Sequence, residues 1–388
     1  MSAHRQSRRI RRVFEEHYGA PDLMVRGPGR VNLIGEHTDF NLGFVLPAAV
    51  DKSIWLAMRP RKDDVVRVHA ADVGESFETR VASLTRSDRG WPNYLLGVYA
   101  EMAADGHAPR GVDCVFGGDL PIGSGMSSSA ALECGFAFGL NELFVLGYDR
   151  PSLARLGQRV EHRFVGVNCG IMDQVASLLG RDGHVVRLDC RDLSTEYMSL
   201  ADSGLVVVLC DSRVRRSLAT GSEYNARRAQ CEAGVALLRS RHPEVRSLRD
   251  VTEDMLEAAR PRMEPVVFAR CAYVLQENQR VLDTCKALAR RDYAGVGRAM
   301  NESHLGLQRD YDVSCPELNV LAEGAQGIPG VLGSRMMGAG FGGCTINLVW
   351  KAELPRFDAA MTEVYHRTLR TEPLCHVCCL TGGTEIVD

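Results

Sequence analysis

The chain has 388 residues, a net charge of −3 and an apolar fraction of 45%, which predict about two globular domains with ample material for a core. Both signs of charge are mixed along the chain, which argues against the clustered positive field of a nucleic-acid surface. No run of eighteen apolar residues is present, so no transmembrane helix is predicted. We therefore expect neither a nucleic-acid nor a membrane partner, and a monomer or weak homo-oligomer.

An amphipathic helix is predicted near the amino terminus. Ile10, Val13, Phe14 and Tyr18 recur at helical spacing, and the basic run HRQSRRIRR supplies the outer face. A targeting segment is the alternative, but no apolar stretch follows the basic run and two glutamates come soon after it. We therefore favour a surface helix.

The 13 cysteines have no disulfide framework around them. With no signal peptide ahead of them, they predict a reducing, cytoplasmic compartment in which most thiols act as small core residues. The cluster CHVCC at 375–379 has a CxxC pair beside a histidine, as in zinc sites. No second ligand pair lies at short spacing, so a terminal strand is the favoured interpretation.

The order of elements predicts an α+β fold without internal repeats. Strands are predicted at RVNLIG, SIWLAM, VVRVHA, SFETRV, VDCVF, LVVVLCD and CTINLVW. Helices are predicted near 94–104, 129–146, 152–164, 224–241, 265–291 and 357–369, from apolar residues at three- and four-residue spacing. We expect an amino-terminal domain over residues 1–200 and a carboxy-terminal domain over 201–388, although no linker-like composition marks the boundary.

The stretch GRVNLIGEHTDFNLG at 29–43 begins as a buried strand and then presents Glu36, His37 and Asp39. Neighbouring side chains of a regular strand point to opposite faces, so these three could not meet there. Gly35 and Gly43 favour an irregular loop, in which they can converge. From these residues alone a solvated surface turn is the commoner interpretation. The alternative is a site for a ligand with many hydroxyl groups.

The stretch LPIGSGMSSSAALE at 120–133 joins a glycine loop to a helix of small residues. A helix amino terminus binds anions through its free N–H groups and its dipole, and a serine hydroxyl can also ligate Mg²⁺. The alternative is an ordinary turn in which Ser127 or Ser128 caps the helix. No lysine of the chain follows a glycine, so this is not a Walker loop.

A second glycine loop, MGAGFGGC at 337–344, satisfies the pattern GxGxxG. A dinucleotide-binding fingerprint must follow a strand and open a helix. Here the loop leads into CTINLVW, which has the composition of a strand. We therefore reject a nicotinamide-dependent enzyme.

In order and spacing, these three stretches resemble the three motifs of the GHMP kinase family, and of its galactose-phosphorylating branch in particular. CGIMDQ at 169–174, SEYNARRAQCE at 222–232 and DYDVSCPELN at 310–319 look like further landmarks of that branch. The departures are small: Phe40 stands where the family usually has tyrosine, Ser124 where it has alanine or glycine, and Met126 where it has leucine. None touches a charged position.

The resemblance implies a two-domain GHMP kinase fold, with an amino-terminal domain like ribosomal protein S5 domain 2, a ferredoxin-like carboxy-terminal domain and a site in the cleft between them. It also implies transfer of the γ-phosphate of ATP, with Mg²⁺, to the anomeric hydroxyl of α-D-galactose. A sister kinase acting on arabinose or N-acetylgalactosamine is the nearest alternative. A sugar and ATP sensor without activity is the other, but SSSAALE and CGIMDQ are both intact, which favours an enzyme.

The site residues follow from the same resemblance. Arg30 and Asp173 match the pair at the reacting hydroxyl, and the matches to sugar contacts are Glu36, His37, Asp39, Gly170 and Tyr224. The matches to the phosphate loop are Gly123, Ser124, Gly125, Met126, Ser127, Ser128, Ser129 and Ala130. Ser129 and Glu161 match Mg²⁺ ligands, and Trp91 and Tyr94 lie in a segment resembling the adenine side.

The chemistry of these residue types agrees with those roles. The guanidinium of Arg30 has a fork geometry suited to an oxyanion. An Arg30–Asp173 pair would keep Asp173 ionised and able to accept the proton of a sugar hydroxyl; early removal and late orientation of that proton both stay open. Taken singly, Arg30 could be a paired surface arginine and Glu161, within a predicted helix, a surface charge.

Overall fold

The computed structural model of the chain describes residues 3–120, 125–215 and 222–387. Its α-helices are α1 (Ala3–Tyr18), α2 (Pro92–Ala104), α3 (Ser128–Phe144), α4 (Arg150–Arg159), α5 (Met172–Leu179), α6 (Ser222–Arg239), α7 (Glu253–Ala259), α8 (Pro265–Ala289), α9 (Tyr293–Arg309), α10 (Pro316–Gln326) and α11 (Leu354–Val364). Its strands are β1 (Leu23–Asn32), β2 (Phe44–Val45), β3 (Pro47–Pro60), β4 (Val65–Ala70), β5 (Glu75–Arg80), β6 (Val112–Gly118), β7 (His184–Asp189), β8 (Thr195–Ser199), β9 (Leu205–Asp211), β10 (Val331–Met336), β11 (Cys344–Trp350), β12 (Cys375–Cys378) and β13 (Glu385–Ile386). This arrangement confirms the α+β prediction.

The amino-terminal half is built on a six-stranded sheet in the order β13-β1-β3-β6-β4-β5. Only the β4–β6 pair is parallel among its pairings. Helix α3 lies so close to this sheet that a Cβ on Gly27 would be 2.3 Å from the carbonyl oxygen of Ala131. The small residues of α3 and β1 therefore fix the distance between the helix that carries Ser128 and Ser129 and the strand that carries Arg30.

The carboxy-terminal half contains an antiparallel four-stranded sheet in the order β10-β11-β9-β12. Helices α10 and α11 cover one face of it, where Leu321, Phe357 and Met361 pack against Val208 and Val349. Strand β11 follows the second glycine loop directly, which confirms that this loop opens a strand and not a helix. Strand β12 takes up the first four residues of the CHVCC cluster, as predicted.

The two halves share one apolar core. It runs from Val31 of β1 to Val281 of α8, Met300 of α9 and Ile346 of β11. The last residues of the chain also return to the amino-terminal sheet, where β13 pairs with β1. The boundary near residue 200 stays a prediction. The carboxy-terminal sheet begins soon after it, but the chain crosses back before its end.

Several short or polar helices were not predicted from the sequence, among them α5, α7, α9 and α10. The helix predicted over 152–164 also differs: α4 ends at Arg159, and a wide π-helical turn, Val160–Val165, follows it. Glu161 therefore lies in a distorted turn, of the kind that often marks a functional position. None of the helices in the described ranges is long and apolar enough to cross a bilayer.

A buried ion pair joins the two halves beside the cleft. Arg335 of β10 and Glu36 of the first loop are 0% and 2% exposed, and their N–O distance is 3.2 Å. The Arg335 guanidinium also donates to the carbonyl oxygens of Asn32 and Leu33. One arginine side chain from the second domain thus holds both the end of β1 and the loop that follows it.

We predict that Arg335→Met lowers the free energy of unfolding by about 3–5 kcal/mol, because it leaves the Glu36 carboxylate buried without its cation. Urea unfolding measures this. Arg260→Met is the control, since Arg260 pairs with Glu257 at the surface and its loss should cost less than about 1 kcal/mol. Equal effects of the two variants would show that the buried pair carries no special weight.

Candidate functional site

The first loop is irregular and folded inward, as predicted. His37 has a φ of 63° and Gly35 a φ of 103°, so both residues adopt left-handed backbone conformations. The hydroxyl of Thr38 donates to the carbonyl oxygens of Gly35 and Phe44 at 2.8 and 2.6 Å. With Glu36 at 2% and His37 at 5% exposure, the surface-turn interpretation is wrong.

Helix α8 holds this loop from the outside. The carboxylate of Glu277 accepts from the N–H of Gly35 at 2.9 Å, and the side chain of Asn278 accepts from the N–H of Phe44 at 2.8 Å. The hydroxyl of Tyr273 donates to the carbonyl oxygen of Glu36. The loop conformation is therefore fixed by the carboxy-terminal half and does not depend on a ligand.

The imidazole of His37 lies in an aromatic cluster and is short of hydrogen bonds. Its ring centroid is 4.7 Å from that of Tyr311, 5.7 Å from Tyr224 and 6.0 Å from Phe40. Burial lowers the pKa of His37 to about 3, so the ring is neutral. Neither ring nitrogen makes a hydrogen bond of good geometry within the described residues, although the backbone of Ala339 lies close enough to oppose the fall in pKa, so the ring keeps capacity for a ligand in the cleft.

Asp39 faces the same cleft and is tightly enclosed by the backbone of CGIMDQ. A Cβ on Gly170 would be 1.8 Å from a carboxylate oxygen of Asp39, so no side chain fits there without movement. Burial, and then the negative charge of Asp173, raise the pKa of Asp39 to about 7. Among the described residues, it accepts one hydrogen bond, from the N–H of Phe40 at 2.9 Å, so its acceptor capacity is largely unused.

Arg30 and Asp173 form the pair that the resemblance implied. The guanidinium donates two parallel hydrogen bonds, Nε to Oδ1 at 2.7 Å and Nη2 to Oδ2 at 2.9 Å. Arg30 follows a register shift in β1 that begins at Pro28, and Asp173 lies in the first turn of α5. The arginine also donates to the carbonyl oxygen of Gly125, so it links strand, helix and glycine loop.

The amino terminus of α3 opens toward the same pair. Ser127 occupies the N-cap position but makes no capping hydrogen bond; its hydroxyl donates to Asp173 instead. The first N–H groups of α3 are therefore left without the usual cap and can meet an anion. This excludes Ser127 as an ordinary cap. Gly123 and Ser124 lie outside the described residues.

Ser129 and Glu161 lie together on the other side of this helix end. Glu161 is 6% exposed, and burial raises its pKa to about 7, an effect that a hydrogen bond from Ser129 partly offsets. Within the described ranges, no group of three His, Cys, Asp or Glu side chains is arranged to hold a metal ion by itself. Mg²⁺ bound through phosphates needs only one or two protein ligands, and a hydroxyl beside a buried carboxylate fits that requirement.

The structure brings most of the predicted residues around one cleft. The predicted residues that line it are Arg30, Glu36, His37, Asp39, Gly125, Met126, Ser127, Ser128, Ser129, Glu161, Gly170, Asp173 and Tyr224. Ala130 is in the first turn of α3, buried behind the lining. Trp91 is not part of the lining: its indole donates to Glu75 and packs against Phe116. Its assignment to an adenine site stays a prediction.

Sequence reasoning missed several lining residues, notably Asn225, Gly338 and Ala339. The N–H of Gly338 donates to the Glu36 carboxylate at 2.8 Å, beside Arg335. The sequence signal for the contact of Gly338 with Glu36 was the loop MGAGFGGC. Its resemblance to the third GHMP kinase motif did not indicate which residue it contacts. An arginine inside the apolar run VLGSRMMG was a second signal, because such a charge needs a buried partner.

Comparison with known proteins agrees with this geometry. Models of the GHMP kinase N-terminal and C-terminal domains match residues 93–181 and 285–366. A mevalonate kinase from Methanococcus jannaschii shares the fold at a TM-score of 0.63 and 15% identity, over 94% of this chain and 100% of that one. Fold and cleft together define a GHMP kinase.

More similar proteins indicate which branch of the GHMP kinase family the chain belongs to. A galactokinase galactose-binding signature matches residues 12–60. Galactokinases of Roseiflexus sp. (strain RS-1) and Chloroflexus aggregans (strain MD-66 / DSM 9485) are both 44% identical, over 96% and 97% of this chain and 95% and 96% of their own lengths. The structure of Lactococcus lactis galactokinase complexed with galactose matches at a TM-score of 0.93 and 32% identity, covering 97% of this chain and 99% of that one. The chain belongs to the galactokinase family.

The raised pKa of Asp39 predicts a pH-dependent stability difference between the protein and Asp39→Asn. The folded protein holds a proton on Asp39 up to about pH 7, whereas the unfolded chain releases it near pH 4. The wild type therefore loses stability relative to the variant as the pH rises from about 4 to 7, by roughly 1–3 kcal/mol in total. Asn cannot ionise and escapes this loss.

Urea unfolding of both proteins at several pH values between 4 and 8 tests this. The exposed Asp88→Asn serves as control and should show a difference from wild type that does not vary over the same interval. A pH-independent difference for Asp39→Asn would mean that Asp39 carries the same charge in the folded and the unfolded chain.

Proposed function

We propose that this protein phosphorylates the anomeric hydroxyl of α-D-galactose with ATP, giving galactose 1-phosphate and ADP. One observation carries the proposal: the loop with Glu36, His37 and Asp39 faces the Arg30–Asp173 pair across one cleft, beside an uncapped helix amino terminus. A polar clamp, an activating pair and an anion site are what a sugar kinase requires. Membership of the galactokinase family supports galactose as the sugar, whereas the comparisons give no support to a sister kinase or a sensor.

The clamp is suited to a ligand that donates many hydrogen bonds. An ionised carboxylate only accepts, and its two oxygens can take two neighbouring hydroxyls of one ring. Asp39 would accept from the 3- and 4-hydroxyls, with Gly170 allowing the close approach, and it would lose its proton on binding because hydrogen bonds from the sugar stabilise the carboxylate. In glucose the 4-hydroxyl points the other way, which would leave a buried acceptor partly unsatisfied at a cost on the order of 1–3 kcal/mol.

Glu36 and His37 would hold the far end of the sugar, near the 6-hydroxyl. Among the described residues, Oε2 of Glu36 accepts one hydrogen bond, from Asn32 at 3.0 Å, whereas Oε1 accepts from Arg335 and Gly338. Oε2 therefore keeps acceptor capacity for a hydroxyl. Both nitrogens of the neutral His37 ring are unpartnered, so one can donate and the other accept.

Asp173 would orient the anomeric hydroxyl and receive its proton. Arg30 and the Ser127 hydroxyl hold the carboxylate on one side, which leaves lone pairs for the substrate. Arg30 also carries a permanent positive charge next to the attacking oxygen, where negative charge develops during phosphoryl transfer. The geometry supports both early removal of the proton and orientation with late transfer.

The amino terminus of α3 would bind the phosphates through its free N–H groups and the hydroxyl of Ser128, since the Ser127 hydroxyl donates to Asp173. ATP supplies the phosphoryl group when bound. Ser129 and Glu161 would hold Mg²⁺, which would neutralise phosphate charge. Glu161 would lose its proton on taking up this role, because the cation stabilises the charged carboxylate that burial disfavours.

The test of the function is turnover by the purified protein. With Mg-ATP and galactose we expect ADP release and a product whose phosphorus is bonded to the anomeric oxygen, identified by ³¹P–¹H NMR. Glucose should be used with a kcat/KM lower by roughly 10⁴-fold, as in sites built around a substrate hydroxyl. Phosphate on the 6-hydroxyl, or a preference for arabinose or N-acetylgalactosamine, would overturn the assignment.

For Asp173→Asn we predict a fall of about 10²–10⁴-fold in kcat, because the acceptor for the hydroxyl proton is lost. The dissociation constant of galactose should change by less than about tenfold, since the substitution is nearly isosteric. Steady-state kinetics and calorimetric binding separate these effects. Asp88→Asn is the surface control. An intact kcat with a raised KM would make Asp173 a binding residue only.

Glu161→Gln should raise the Mg²⁺ concentration needed for half-maximal activity by roughly tenfold or more, since a hard cation prefers a charged oxygen ligand. Mg²⁺ titration at saturating ATP and galactose measures it. Glu142→Gln, an exposed position on α3, is the matched control. If both variants need the same Mg²⁺ as the wild type, Glu161 does not ligate the metal.

A further inference from the structure

Behind the cleft lies a carboxyl group that the proposed reaction does not use. Glu133 of α3 is 0% exposed and does not line the cleft. Its Oε1 accepts a hydrogen bond from Nε2 of Gln174, which is 1% exposed, at 2.9 Å. Gln174 follows Asp173 in α5, so this hydrogen bond ties the helix of the phosphate loop to the helix of the reacting pair.

Each of these two side chains has a second oxygen or an amide oxygen that makes no hydrogen bond in this contact. Oε2 of Glu133 and Oε1 of Gln174 are both buried, and neither has a hydrogen-bond partner among the residues that the structure describes. Two acceptors cannot satisfy each other, and two unsatisfied buried oxygens on touching side chains are costly. One proton on Oε2 of Glu133 removes the problem, because the acid can then donate to the amide oxygen while the amide donates to the acid.

The surroundings favour the neutral acid. Burial, and then the negative charges of Glu161 and Asp173, raise the pKa of Glu133 well above its ordinary value, an effect that the hydrogen bond from Gln174 partly offsets. Cys134 of α3, Tyr94 of α2 and Cys169, just before α5, are the other titratable groups whose pKa the charge of Glu133 would affect. On the α4 side there is Gly157, where a Cβ would be 3.0 Å from Cγ of Gln174.

We propose that Glu133 is a protonated positioning residue, joined to Gln174 as a cyclic acid–amide pair that holds α5 against α3 and adds no third negative charge beside Glu161 and Asp173. The pair sets the rotation of α5, and hence where Asp173 meets Arg30 and Ser127. The protonation of Glu133 is proposed for the protein without ligands, so it can be tested without a substrate. The positioning effect rests on the proposed role of Asp173.

The first test compares Glu133→Gln with Glu133→Leu. A glutamine is neutral and can form the same two hydrogen bonds as an amide pair, so kcat should stay within about threefold of wild type. Leucine leaves Gln174 unpartnered, and kcat should fall by roughly tenfold or more, with a smaller change in the KM for galactose. The acid limb of the pH–rate profile should coincide for wild type and Glu133→Gln, because neither carries charge at this position.

An ionised Glu133 gives the opposite result. Its replacement by glutamine would remove a repulsive charge from Glu161 and shift the acid limb to lower pH. That shift, or full activity of Glu133→Leu, would overturn the proposal.

The second test reads the proton directly and needs neither substrate nor turnover. At pH 8, subtracting the infrared spectrum of Glu133→Gln from that of the wild type should leave the C=O stretch of a protonated carboxylic acid. Subtracting the spectrum of Glu142→Gln from that of the wild type should leave no such band. If Glu133→Gln does not fold, Gln174→Leu should move the same band, because the acid loses its partner. Absence of the band from the wild type at pH 8 would overturn the proposal even if galactose turnover is found.

Discussion

The cleft depends on the buried pairing of Glu36 with Arg335. A charged side chain is stable in a core only where its partner and its other hydrogen bonds are fixed together. Here the partner comes from β10, more than two hundred residues away along the chain, and the remaining bonds come from the end of β1 and from the second glycine loop. Under the proposed function, recognition of the sugar and cohesion of the two halves therefore use the same carboxylate.

The cleft is also organised before any ligand enters it. Interactions that would satisfy its polar groups are left unmade: His37 lacks hydrogen bonds on both nitrogens, Asp39 has few donors, and α3 has no cap. Such deficits reduce the stability of the folded chain, and a protein tolerates them where a ligand will supply the missing contacts. Surrounding residues such as Glu277, Gly170 and Arg30 hold these groups in position, so that little ordering is needed on binding.

Much of this could be predicted from the sequence, and the reason differs by element. Strand β9, with its continuous apolar composition, was predicted at its observed bounds, and the existence of helix α1 was predicted from its periodicity. The turn residues around Glu36, His37 and Asp39 allowed their convergence, although the residues alone favoured a surface turn. Helices α5, α9 and α10 were missed: α5 and α10 have only 8 and 11 residues, and α9 contains three glycines, which have low helix propensity.

Contacts between residues far apart in the sequence could not be predicted from the sequence. No local pattern shows that Arg335 meets Glu36 or that Gln174 meets Glu133, because each contact exists only after two remote segments have packed. The turn that carries Glu161 was expected as regular helix, since the π-helical distortion depends on what surrounds it. Family resemblance supplied roles for single positions, whereas the hydrogen-bond network between them came only from the structure.

The pairing of β13 with β1 has a consequence for how the protein is made. Strand β1 is second from the edge of its sheet only because two residues at the far end of the chain cover it, helped by the Arg26–Glu385 ion pair. During synthesis the amino-terminal sheet emerges first, and β1 stays an open edge until almost the whole chain has left the ribosome. The nascent chain therefore carries an unprotected edge strand while residues 33–384 are made. A chain truncated before Glu385 would retain this open edge.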